Sequence, residues 1–118
     1  MATIKSYTDI EQSRKLAEIL PLETADMYWW PSGKWYYIEA MDDGDFNEEE
    51  GHIRAWSLAA LLNVLPFPQL SKDKLGNGKV GWMVSVYLDD CRYDSCWHDN
   101  QIDCCYELIL KLYELKQC

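Results

Sequence analysis

At 118 residues the chain suits one domain, because domains usually run to ~100–150 residues and a split would leave two marginal halves. Apolar residues make up 48% of it, with six Trp and eight Tyr, enough large side chains to offset chain entropy and to exclude an intrinsically disordered protein. Its 11 basic and 20 acidic residues leave a formal charge of −9, which repels phosphate backbones and anionic lipid; this argues against direct nucleic-acid or membrane binding and favours a basic protein partner.

Thr8, followed three positions later by Glu11, reads as a capping box, and Ile10, Leu16, Ala17, Ile19 and Leu20 then recur at helical spacing up to Pro21. That pattern predicts a helix over residues 9–20. A short helical turn through Leu22, Thr24, Ala25 and Met27 is expected next, ending at the pair Trp29 and Trp30, and Pro31, Ser32 and Gly33 mark a turn. Residues 34–41 are aromatic and β-prone, so a strand is expected with Trp35, Tyr37 and Glu39 on one face and Tyr36, Ile38 and Ala40 on the other, more buried, face.

Residues 42–51 (DDGDFNEEEG) form an acidic loop too charged to bury. The acidity is local: residues 31–54 carry two basic and seven acidic side chains, whereas residues 55–88 carry three basic and one acidic. Over residues 53–65 apolar side chains fall on nearly every side of a helical projection, which predicts a central core helix stopped by Pro66 and Pro68.

A strand over 69–75, the turn Gly76-Asn77-Gly78 and the alternation of Val80, Trp82, Val84, Val86 and Leu88 predict a hairpin. A further strand over 92–97 follows the turn Asp89-Asp90. Asn100, with Asp103 at the third position, caps a last helix whose stripe is Ile102, Cys105, Tyr106, Ile109, Leu112 and Tyr113. The expected fold is α+β: a single two-layer domain over residues 1–118, with a small antiparallel sheet of three to four strands packed against three helices. No secretory leader follows Lys5, and the longest apolar run, residues 55–62, is too short to span a bilayer, so a cytoplasmic location is expected.

Four constellations invite a chemical reading. Cys91, Cys96, His98, Cys104 and Cys105 are dense in soft ligands, yet there is no C-x-x-C pair, and Cys104 and Cys105 point about 100° apart on a helix. A Cys with His98 as base, oriented by Asp99 or Asp94, would suit nucleophilic catalysis, but no nucleophile signature surrounds any Cys. Five cysteines without a repeated spacing fit reduced thiols. Asp43, Asp45 and Asn47 alternate as calcium ligands do, but Glu48 stands where an EF-hand needs Gly and Arg54 where it needs a carboxylate. Finally, Tyr28, Trp29, Trp30, Trp35, Tyr36 and Tyr37 lie beside the acidic loop, and aromatics next to carboxylates suit a protein interface.

Three stretches, LAEILPLETADMYWW, AWSLAALLNVLP and DNQIDCCYELILKLYEL, resemble small acidic proteins of gut Bacteroides-type bacteria, their mobile elements and phages. The chain departs from the pattern at Gln101, Cys104 and Tyr113, where those proteins tend to carry Pro, Ala and His. The resemblance brings no activity, cofactor or catalytic residue. Its setting implies an inhibitor of nucleic-acid-binding machinery in which carboxylates take the place of phosphates.

Together these features predict a non-enzymatic binding or regulatory protein, monomer or homodimer, with no cofactor and no metal. Its expected interaction residues are Trp29, Trp30, Trp35, Asp42, Asp43, Asp45, Glu48, Glu49 and Glu50. The alternative is an enzyme or zinc module around Cys96 and His98.

Overall fold

The computed structural model describes residues 5–42 and 44–117. The fold is α+β, with α-helices and antiparallel strands as expected; among the described residues there are three α-helices and six strands, which form two three-stranded sheets. Contacts divide the chain into two compact units: Tyr7–Ala60, and the chain from Leu61 onward together with Lys5 and Ser6.

In the first unit, α1 (Ile10–Ile19) begins one residue later than the sequence suggested. Asp9, not Thr8, is the cap: its carboxylate accepts from the Gln12 backbone N–H at 2.8 Å, and the Gln12 side chain accepts from the Asp9 N–H at 3.1 Å. Thr8 is thereby freed for a buried role. Its N–H donates to the Trp56 carbonyl (2.9 Å), its Oγ1 accepts from the Trp56 N–H (3.1 Å) and lies 2.7 Å from Ser13 Oγ, and its carbonyl accepts from Trp29 Nε1 (3.1 Å).

A single 3-10 turn, Leu22–Thr24, leads into β1 (Met27–Ser32). The two tryptophans therefore sit in a strand rather than at the end of a helical turn, because β1 gains partners on both sides. It pairs with β2 (Trp35–Ala40) along its whole length and with β3 (Ile53–Ala55) over Met27, Tyr28 and Trp29, giving the order β2-β1-β3. Pro31 is tolerated because it lies beyond Trp29, the last residue paired to β3, where the strand has a free side. Gly33, at φ +64°, supplies the positive φ that the two-residue β1–β2 turn needs.

The helix expected over residues 53–65 is two elements. Residues 53–55 are β3, and only α2 (Leu58–Val64) is helical. Ser57 marks the break: its Oγ accepts from the Ala60 N–H (3.2 Å), a helix cap, and its own N–H donates to Asp26 (2.8 Å). Trp56, fully buried just before the cap, donates from its indole to Thr24 Oγ1 at 2.9 Å.

In the second unit the expected hairpin forms from β4 (Gln69–Lys74) and β5 (Val80–Leu88), with β6 (Cys91–Asp94) on the other side of β5. Asp89 and Asp90, at φ 50° and 66°, make the tight turn between β5 and β6, a conformation that aspartate accepts better than most residues. β6 is shorter than expected because Ser95 turns back on β5, donating its N–H to the Val84 carbonyl and accepting the Val84 N–H on its Oγ.

Helix α3 (Gln101–Gln117) is capped as predicted: Asn100 Oδ1 accepts from the Asp103 N–H, and Asn100 Nδ2 donates to Asp103 Oδ2, both at 2.8 Å. Its buried face carries Ile102, Cys104, Cys105, Leu108 and Ile109, and Val84 and Val86 are buried on β5, the strand it contacts. Full burial stabilises by roughly 1.5–3 kcal/mol for each large aliphatic side chain, so this helix face carries much of the unit's stability.

Phe67, between Pro66 and Pro68, has φ 47° and is 92% exposed. A bulky side chain there strains the backbone and buries nothing in return. Replacing Phe67 with Asn should stabilise the protein by about 0.5–1 kcal/mol in denaturant titration, with no change in the slope. Thr8→Val keeps the shape but leaves the Trp56 N–H without its acceptor. It should cost about 1–3 kcal/mol in the same titration, and an unaltered midpoint would remove Thr8 from its organising role.

Candidate functional site

The register of the first sheet sorts its side chains onto two faces. Tyr28, Trp30 and Ser32 share one with Glu39, Tyr37, Trp35 and Arg54; Met27, Trp29 and Pro31 share the other with Ala40, Ile38, Tyr36, Ile53 and Ala55. The second face is the inner one. There Trp29 reaches Thr8, and its ring meets Tyr7 edge-on with centroids 5.4 Å apart. Ile38 is half-buried, whereas Tyr36 and Ala40 are exposed, so only Ile38 of the expected buried set on β2 is covered.

The acidic loop covers one end of the first face. Tyr28 is buried there, stacked on the His52 ring at 5.2 Å and met edge-on by Phe46 at 5.6 Å. The Arg54 guanidinium lies 4.4 Å over the Phe46 ring and pairs with Glu48. The Tyr28 hydroxyl donates to Glu39 at 3.1 Å. Burial, that bond to Glu39, and the carboxylates of Glu39, Asp45 and Asp42 raise the Tyr28 pKa above its ordinary value.

The loop's own turns are held by local hydrogen bonds. Asn47 Oδ1 accepts from the Glu49 N–H, His52 Nδ1 accepts from the Asn47 N–H, and Gly51 closes a 3-10 turn over Glu48–Glu50 at φ 85°. Asn47 and Arg54, which the calcium-loop comparison singled out, are thus engaged within the loop.

Of the expected interaction residues, Asp42, Asp45, Glu48, Glu49 and Glu50 are exposed, and Asp43 lies outside the described residues. The three tryptophans part company. Trp29 points into the unit, Trp30 is half-buried against Tyr37 with centroids 5.0 Å apart, and Trp35 is 70% exposed. Trp30 Nε1 is shielded from water and has no hydrogen-bond partner among the described residues. Phe46, His52 and Arg54, which fix the loop to the sheet, were not on the expected list; the signal for them was an apolar ring inside an otherwise acidic run.

In the second unit the Cys and His residues are dispersed. Cys91 and Cys96 are exposed, while Cys104 and Cys105 are buried on α3. The neighbouring Cys104 thiol, together with burial, pushes the Cys105 thiol far above the usual thiol range. Among the described residues no three His, Cys, Asp or Glu side chains are grouped to hold a metal ion.

His98 Nε2 lies 2.8 Å from Glu107, whose other oxygen accepts the Cys96 N–H at 2.8 Å and stands 3.1 Å from Lys111 Nζ. Glu107 therefore ties the segment after β6 to α3. Burial works against its charge, but the hydrogen bonds from His98, Cys96 and Lys111 outweigh it and hold its pKa at about 2, against an ordinary value of 4.5. Because the folded value is the lower one, the stabilisation is complete above about pH 4.5 and is lost as the pH falls through about 2. Glu107→Gln should cost about 1 kcal/mol at pH 7, a figure reduced for the quarter of the side chain still in water. The gap between variant and parent, measured by denaturant titration across pH 7 to 2, should close on the acid side. No family model matches the chain, and no curated protein or solved structure matches it.

Proposed function

We propose that this chain is a non-enzymatic binding or regulatory protein that engages a basic protein partner through the acidic loop and the exposed ring of Trp35. One observation carries the reading. Asp42, Asp45 and Glu48–Glu50 hold their carboxylates in water on a loop anchored to the sheet by Phe46, Arg54 and His52, while Trp35 and Tyr37, 70% and 48% exposed, continue the same sheet face. Large rings supply contact area at low entropic cost, and carboxylates select a cationic partner and speed its encounter. The anchoring matters because a loop already held in shape loses less entropy on binding.

A cytoplasmic setting and a role as an inhibitor of a nucleic-acid-binding protein belong to the same proposal. A cationic surface that accepts phosphates accepts clustered carboxylates by the same electrostatics. Partners captured from the native host would be purified and titrated against the parent protein and two variants. Reversing Asp42, Asp45, Glu49 and Glu50 to Lys spares the Glu48–Arg54 pair and should weaken binding at least tenfold at low salt. Trp35→Ser should weaken it by a similar factor while leaving the salt dependence intact. Affinity unchanged in the charge-reversed variant would rule the loop out.

A further inference from the structure

The four strands at the sheet edges differ in how they are protected from pairing with other chains. An edge strand displays a row of unpaired N–H and C=O groups, which proteins blunt by shortness, charge, proline or bulges. Three of the four edges here carry such guards. β3 has three residues with Arg54 at its centre, β6 has four with Arg92 and Asp94, and β4 carries Lys72, Asp73 and Lys74 in succession.

β2 carries none. Its six residues, WYYIEA, pair with β1 in unbroken register without bulge or proline, and its one charged side chain, Glu39, is taken up by the Tyr28 hydroxyl. Five of the six are exposed, and no described strand pairs with its outer side. Aromatic residues of high β-propensity fill the strand, which makes the open edge a good template for a further strand.

We infer that the outer edge of β2 takes an extended, lysine- or arginine-bearing peptide segment of the partner as an added antiparallel or parallel strand. The inference rests on the reading that the partner is basic, and it specifies how that partner is held. Main-chain hydrogen bonds to the outward-facing groups of Tyr36, Ile38 and Ala40 give affinity without regard to sequence. Alternate side chains of the added strand then lie beside Trp35 and Tyr37 on one face and Tyr36 on the other, where cationic groups can sit over the rings.

Charge chooses the occupant. β2 runs directly into Asp42, Asp45 and Glu48–Glu50, so cationic side chains at that end of the added strand meet carboxylates. A second copy of this chain would instead bring a net −9 against a net −9.

The probe is the hexapeptide Lys-Val-Lys-Val-Lys-Val, blocked at both ends, beside the same peptide N-methylated at every internal residue. Methylation removes the N–H donors and keeps the charge. Binding would be followed at low salt by calorimetry, and the β2 amides by hydrogen exchange. The unmodified peptide is expected to bind, to slow exchange at Tyr36, Ile38 and Ala40, whose N–H groups face the open edge, and to exceed the methylated peptide at least tenfold; the Asp42, Asp45, Glu49 and Glu50 to Lys variant should lose binding of the unmodified peptide. Equal binding of the two peptides overturns strand addition while leaving a basic partner in place. Binding of neither peptide overturns strand addition and the preference for basic segments alike, and a dimer in sedimentation whose Tyr36, Ile38 and Ala40 amides are already protected assigns the edge to a second copy.

Discussion

Thr8 and Trp56, 48 residues apart in sequence, exchange backbone and side-chain hydrogen bonds on which the first unit depends. All the polar atoms of Thr8 are used: N–H to Trp56, Oγ1 to Trp56 and Ser13, carbonyl to the indole of Trp29. One residue thereby ties the start of α1 to the end of β3 and to the inner face of β1. Because the residue is fully buried, none of these groups has water to fall back on, and a loss at any one leaves an orphan.

The elements that local chemistry decides were legible in the amino-acid order. Asn100 with Asp103 announced α3, and Gly76-Asn77-Gly78 with the alternation of Val80 to Leu88 announced the hairpin. Those that tertiary pairing decides were not. Ile53 and Ala55 continue a helical apolar pattern, but β1 offers them a strand partner, and Ser57 starts the helix afresh. Residues 27–30 likewise look like the end of a turn until β2 and β3 flank them. An apolar stretch of that length does not by itself distinguish a buried strand from a buried helix.

The candidate site was half legible for a related reason. Charge density marks a segment that must stay in water, so the exposed carboxylates could be placed from composition alone. Which of three tryptophans meets solvent depends on strand parity and on what covers each face, and neither is encoded locally. Trp29 and Trp30 point to opposite faces because they are neighbours in a strand, and Trp35 is bare while the rings of Phe46 and His52 cover Tyr28. His52 and Arg54 escaped notice as supports because their partners, Tyr28 and Phe46, come together only once the loop has folded over the sheet.

The exposed ring of Phe67 stands beside a peptide bond that resists cleavage. A side chain so fully in water is the kind that chymotrypsin-like proteases grip, yet the bond that would be cut leads into Pro68. Proline at that position supplies no N–H and does not fit the extended geometry such enzymes impose on a scissile bond. The chain can therefore display an aromatic ring at a strained corner without offering a cleavage point there.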